Sequence, residues 1–339
     1  MPSTFFAAAV LFDMDGTLTD SIAAVEAAWG KVAADLGLDP TVVIAATHGK
    51  RAIDNLAEFK PHLKAHEVDA EVDAFERTIL YYADAFNEVG PGSKFRTTCS
   101  TPPSVLSSGG ATPALTDASS GRSSLADVMA PIVADRRPSF GVRLNNMLAD
   151  TLASDPGLMH ETVIEDVCTD DYHSKKQLRE DLLSAWQQEA SSVDRRVRIL
   201  PSVREIIDSI PEGRYAVATS GAKIYAYGCM SRVGIVPPKV TITGDDCRLK
   251  RGKPAPDPFM LAAKELGFPA SDCVVFEDSP SGIRSGVASG ATVIAVCTSH
   301  ERSKIENCGA HYIVQDMSQV KCEAVGTGAD MRLRFTVQG

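Results

Sequence analysis

The chain has 339 residues, 44% of them hydrophobic and 23% charged, and a formal net charge of −10. That length fits two domains of ordinary size or one domain with large insertions, and the composition is that of a globular protein. The acidic balance excludes a broad basic surface for nucleic acid, but not a phosphorylated substrate, which needs only a local positive site.

The first element is a continuous apolar run, Ala7 to Phe12, which reads as a buried strand and stops at Asp13, Met14, Asp15, Gly16 and Thr17. Carboxylates at i and i+2 off a buried strand face the crevice where open α/β sheets bind ligands. Taken alone, the same residues also suit an ordinary Asx turn. Residues 20–37 carry Ile22, Val25, Trp29, Val32 and Leu36 at helical spacing with Gly37 as a stop. Further helices are expected around 51–59 and 66–86. Between them, His48, Gly49, Lys50 and Arg51 form a basic loop running into a helix N-terminus. Such a loop can hold an anion, although a solvated basic loop is the simpler reading.

Residues 88–139 are dominated by Thr, Ser, Pro and Gly. With few apolar positions they cannot offset the ordering cost, so disorder is expected for most of them. Helical patterning returns at 140–153 and at 174–190, where Leu178, Leu182, Leu183 and Trp186 share one face. This second helix is expected to dock on its own domain. From 195 the pattern alternates between strand and helix, as in a parallel sheet with crossover helices. Val203–Ile210 reads as helix. Tyr215–Ala218, Val240–Thr243, Cys273–Phe276 and Ala291–Val296 read as strands, each ending in polar residues. Residues 322–337 look like a β-hairpin over a Gly-rich turn.

No apolar run reaches the roughly 18 residues of a membrane span. The start MPSTFFAAAVLF lacks the basic residues of a leader. Eight cysteines make no C-x-x-C pair, which suits a reducing compartment. A cytoplasmic protein without membrane or nucleic-acid partners is expected.

If the strands are parallel, their carboxyl ends gather Asp13, Asp15, Thr219, Glu277 and Asp278. Lys253, read as lying just after another strand, could join them. Converging carboxylates repel one another unless a cation is present, and hard oxygen ligands favour Mg²⁺. A lysine and a hydroxyl beside that ion would suit a phosphoryl group.

The segments FDMDGTLTDS, VATSG, RGKPAPDPF and VVFEDSPSGI resemble the four ordered motifs of the haloacid dehalogenase-like hydrolases. With THGKRAIDNLAEF, the likeness narrows to fungal glycerol-phosphate and 2-deoxyglucose-6-phosphate phosphatases, over about residues 5–87 and 195–337. The resemblance implies an α/β fold, a Rossmann-like parallel sheet core with a helical cap inserted after the first strand. The core would comprise 1–20 and 195–339, the cap 21–87, and an insertion 88–194, disordered to about 139 and then helical. It implies Asp13 as nucleophile, ionised at its ordinary pKa of about 4, and Asp15 as general acid and base, which needs a raised pKa. Thr219, the Ser220 N–H and Gly221 would hold phosphoryl oxygens, and Lys253 would neutralise them. Mg²⁺ would be bound by Asp13, the Asp15 backbone carbonyl and Asp278, with Glu277 a further ligand or an outer acceptor. His48, Gly49, Lys50 and above all Arg51 would read the substrate. Lys50 replaces the bulky aromatic expected in the glycerol-phosphate enzymes, a change that points to a more acidic or larger sugar phosphate.

The implied activity is Mg²⁺-dependent hydrolysis of a small phosphorylated polyol or sugar. Two other readings stand beside it, the first sharing the four motifs and the second of a different class. One is a β-phosphoglucomutase-like phosphotransferase. The other is a regulatory protein that binds a protein partner through 88–194.

Overall fold

The structure is a computed structural model in which residues 2–64, 66–93 and 169–338 are described. The disorder expected for most of residues 88–139 lies, beyond Ser93, outside them, as does the helix expected over 140–153.

Six parallel strands form the central sheet: β2 (Ala9–Phe12), β5 (Tyr215–Ala218), β6 (Thr241–Ile242), β7 (Cys273–Glu277), β8 (Thr292–Val296) and β9 (Tyr312–Val314). Their spatial order is β6-β5-β2-β7-β8-β9. Strands β2 and β7 are buried throughout, as helices on both faces require of a parallel sheet. Chain order reverses at β2, so the crevice at the carboxyl ends of β2 and β7 is the topological switch point, where open α/β sheets bind ligands. The helices α6 (Val203–Ser209), α7 (Lys223–Arg232), α8 (Asp257–Leu266) and α9 (Pro280–Ala288) make the crossovers between strands, with the short α10 (Arg302–Ile305) before β9.

The run Ala7–Phe12 is not one strand. Ala7 ends β1 (Ser3–Ala7), which pairs antiparallel with β11 (Arg332–Val337), whereas Ala9 opens β2 against Cys273 of β7. Between them the Ala8 N–H donates to the Asp272 carbonyl at 2.6 Å. The continuous apolar pattern hides the break because both strands are covered there. The expected hairpin forms, as β10 (Val320–Val325) and β11, and β1 completes this smaller sheet. Phe5 stacks between Tyr312 and Phe335, at 5.2 and 5.3 Å, and so ties the small sheet to the large one.

The helical layer leaves and re-enters the core at one point. β3 (Thr19–Asp20) pairs antiparallel with β4 (Arg198–Ile199). Between them run α1 (Ile22–Asp35), α2 (Pro40–Thr47), α3 (Ala52–Phe59), α4 (Val68–Glu88) and α5 (Thr169–Ser192). Helix α2 was absent from the sequence reading, although Asp39 caps it at 2.8 Å to the Thr41 N–H and Pro40 opens it. The sequence reading kept 88–194 apart from the helices of 21–87. The structure joins them: Trp186 of α5 stacks on Tyr81 at 4.7 Å and donates to the Tyr82 hydroxyl at 2.5 Å, both on α4. The docking expected of this helix on its own domain is therefore observed. Trp186→Ala should lower stability by about 3 kcal/mol, measured as a shift in denaturant midpoint. An unchanged midpoint would show that α5 adds nothing to the layer. No described helix is long and apolar enough to cross a membrane.

Candidate active site

Asp13 and Asp15 sit on the tight loop that follows β2. The Met14 carbonyl accepts the N–H groups of Leu18 and Thr19 at 2.8 and 2.9 Å, which folds the loop back on itself. Gly16 makes the turn at φ 75°, and a Cβ there would lie 2.2 Å from Asp278 Oδ2. Only glycine permits both the conformation and the approach. The Asp13 N–H bonds the Phe276 carbonyl at 3.0 Å and so ties the end of β2 to the end of β7.

The two aspartates face different partners. Asp13 accepts from the buried Lys253, whose Nζ also reaches Glu277 Oε1 at 2.7 Å. Asp15 accepts from Ser21 at 2.5 Å, from the Tyr225 hydroxyl, and from Thr219 at 3.5 Å. Burial raises the Asp15 carboxyl, against the pull of Ser21 and Tyr225. That direction agrees with the expectation for an acid. Asp13 differs from its expectation: burial pushes it up to about 7 against the attraction of Lys253. The reason is physical, since one lysine faces several buried carboxylates.

Asp13, Glu277 and Asp278 each place a carboxylate oxygen within 4.8 Å of the others. Burial, with Glu277 and Asp13 alongside, raises Asp278 well above the usual carboxylate range. An all-carboxylate set short of positive charge fits a hard divalent cation such as Mg²⁺. Glu277 has little capacity left for it. Its Oε1 takes Lys253, and its Oε2 takes the N–H groups of Asp278 and Ser279, both at 2.9 Å. That arrangement fits the outer acceptor rather than the direct ligand. The side chain of Asp15 is turned away toward Ser21 and Tyr225, so only its backbone could join the ion.

Lys253 does not follow a strand directly, because β6 ends at Ile242. It reaches the site from the turn before α8. Thr219 follows β5, and its hydroxyl oxygen accepts the Gly221 N–H at 3.0 Å. The Ser220 hydroxyl donates to the Gly49 carbonyl at 3.0 Å, a direct bond between core and helical layer. Gly49 has φ 71°, and a Cβ there would meet Ser279 Oγ at 2.5 Å, so the basic loop rests on the core only because it has no side chain at this point.

A cavity between the layers is lined by Asp13, Asp15, Asp278, Ser220, Gly221 and Tyr225 from the core. Trp29, His48, Gly49, Lys50, Phe75, Glu76 and Ile79 line it from the helical layer. Thr219, Lys253 and Glu277 lie behind this wall. Arg51 does not line it: its guanidinium is held by Asp54 at 2.8 Å. Of the basic loop, His48, Gly49 and Lys50 reach the cavity and Arg51 does not. The sequence reading missed Tyr225 and Glu76, which occupy unremarkable helical positions. His48 and His300 lie 4.4 Å apart, and burial holds His300 down to about 4.

The haloacid dehalogenase-like hydrolase family model matches residues 154–296. Over 122 residues the chain is 33% identical to glycerol-1-phosphate phosphohydrolase 2 of Saccharomyces cerevisiae, covering 34% of this chain and 48% of the relative. It is 36% identical over 120 residues to 2-deoxyglucose-6-phosphate phosphatase 2 of the same yeast, covering 33% and 48%. Hexitol phosphatase A of Escherichia coli is 27% identical over 286 residues, covering 84% of this chain and 81% of the relative. These matches bear out the resemblance read from the motifs, while the match spans about half the length of the yeast relatives.

Proposed function

We propose that this chain, similar to the haloacid dehalogenase-like hydrolases over its motif-bearing strands, is a phosphatase of small phosphorylated polyols or sugars. The observation that carries the reading is the separation of Asp13 and Asp15: two residues apart on one loop, facing one cavity, with different partners. Asp13 Oδ attacks phosphorus as the ester P–O bond breaks, and an aspartyl-phosphate forms. The leaving alkoxide takes the proton of Asp15. Asp15 then accepts a proton from the attacking water, the P–O bond to Asp13 breaks, and inorganic phosphate leaves. Tyr225 and Ser21 orient the Asp15 carboxyl. Lys253 offsets negative charge at Asp13. Asp13, Asp278 and the Asp15 backbone would hold Mg²⁺, which supplies positive charge to the phosphoryl oxygens. The Ser220–Gly49 bond and the close approach of Gly49 to Ser279 seat the helical layer over the site, where it would limit access of bulk water.

The relatives' names, which include phosphatases of glycerol, hexitol and deoxyglucose phosphates, support the same substrate class. The test is phosphate release from a panel of sugar and polyol phosphates. Release is expected with Mg²⁺, should vanish with EDTA, and should return when Mg²⁺ is restored. Conversion of a sugar phosphate to its isomer without release of inorganic phosphate would overturn the reading in favour of a mutase.

A further inference from the structure

The chemistry above leaves one buried carboxyl of the cavity unused. Glu76, on α4, is 1% exposed and lines the cavity from the helical side. Its Oε1 accepts the Ala222 N–H at 3.0 Å, across the boundary between helical layer and core. Its Oε2 has no hydrogen-bond partner among the described residues. A buried oxygen left unpaired carries a desolvation cost that a ligand group can relieve. We propose that Glu76 reads the alcohol portion of the substrate, pairing Oε2 with a hydroxyl and selecting neutral polyhydroxy tails over tails with a second phosphate or a carboxylate. The inference rests on the phosphatase reading and deepens it.

Several observations agree. Burial pushes the Glu76 carboxyl up to about 8, with Ala222 pulling the other way. In its protonated form it keeps one oxygen on the Ala222 N–H and leaves Oε2, unpaired among the described residues, to donate to a ligand hydroxyl. A carboxylic acid can both donate to and accept from a hydroxyl. A second anion would lose on three counts: Asp15 faces the same cavity, Glu76 offers a single donor, and deprotonation of Glu76 would add repulsion. Lys50, the cation at this cavity, is exposed, so water screens its charge. This departs from the expectation drawn from Lys50, a more acidic or larger sugar phosphate, by disfavouring the acidic one. Charge counted along the sequence gave weight to Lys50, whereas burial gives it to Glu76. The apolar walls, Trp29, Phe75 and Ile79, suit the C–H faces of a polyol.

The test compares kcat/KM for wild type, Glu76→Gln and Glu76→Met. The probes are glycerol 1-phosphate and sorbitol 6-phosphate, with propyl phosphate as the tail lacking hydroxyls and 3-phosphoglycerate as the carboxylate tail. Wild type should favour glycerol 1-phosphate over propyl phosphate by about 10-fold or more, the scale of one unmade buried hydrogen bond. It should also favour it over 3-phosphoglycerate. Glu76→Met should lose about 10-fold or more on both polyol phosphates and stay within about 3-fold on propyl phosphate. Glu76→Gln, which can still accept from Ala222 and donate to a hydroxyl, should keep the preference. An equal loss on every probe would assign Glu76 to structure alone and overturn the inference. A wild-type ratio near one between glycerol 1-phosphate and propyl phosphate would overturn it without any variant needing to fold. Active wild type with either result leaves the phosphatase reading standing. Wild type inert on every probe and on the sugar phosphates of the wider panel removes that reading and the inference together.

Discussion

Asp13→Asn is expected to abolish phosphate release, by about 10⁴-fold or more, as for the loss of a covalent nucleophile. The amide keeps the shape of the carboxylate but cannot form the acyl-phosphate bond. Folding should survive, because Lys253 retains Glu277 at 2.7 Å and one member of a crowded acidic cluster is removed. A melting temperature within a few degrees of wild type, with release at background, is the expected pair of results. Release near the wild-type rate would remove Asp13 from the chemistry and with it the mechanism proposed here. Wild type stopped during turnover should also carry a phosphoryl adduct on Asp13, detectable by mass spectrometry, which the variant lacks.

Lys253→Met should be costly in both stability and turnover. The ammonium is buried between Asp13 and Glu277. Burial alone would lower its pKa, but the two carboxylates outweigh burial and keep it charged. Removing it leaves buried acids uncompensated, a change that typically costs about 3–5 kcal/mol. A fall of about 10 °C in melting temperature follows for a chain of this size. Turnover should drop by about 10³-fold, the scale of losing one electrostatic contact to a developing charge. The double variant Asp13→Asn/Lys253→Met should recover part of the lost stability, because the two residues are coupled. Strict additivity would show that the ion pair contributes nothing.

The reactive centre was legible because its residues sit where strands stop. Apolar runs ending in Asp13, Thr219 and Glu277 announce both the sheet and the edge where the candidate site gathers. Lys253 reached the same centre by a longer route, from a turn well beyond β6, and was legible through its G-K-P motif rather than its place after a strand. Only part of the cavity wall was legible: His48, Gly49, Lys50, Ser220 and Gly221 line it as read, whereas two other wall residues were missed. Tyr225 and Glu76 stand in helices at positions that periodicity assigns to packing; the packing of a core helix beside β2 brings Tyr225 onto Asp15, and the seating of the helical layer on the core brings Glu76 onto Ala222. Arg51 shows the converse: its charge drew it into the substrate reading, while Asp54, three residues along the same helix start, already holds it. The break at Ala8 was invisible for a third reason, since burial on both sides erases the pattern that would mark a change of sheet.

The ladder of β3 with β4 has a consequence for how such a chain can diversify. Everything from Ile22 to Ser192 departs and returns through four paired residues, Thr19, Asp20, Arg198 and Ile199. Paired strands lie about 5 Å apart, so any unit whose ends meet at that spacing could be grafted there without recutting the sheet. Asp13, Lys253, Glu277 and Asp278 all lie outside the excursion, whereas Lys50, Phe75 and Glu76 lie inside it. On the proposed reading, recognition of the alcohol would fall within the excursion and attack on phosphorus outside it, in exchangeable and fixed parts of one chain.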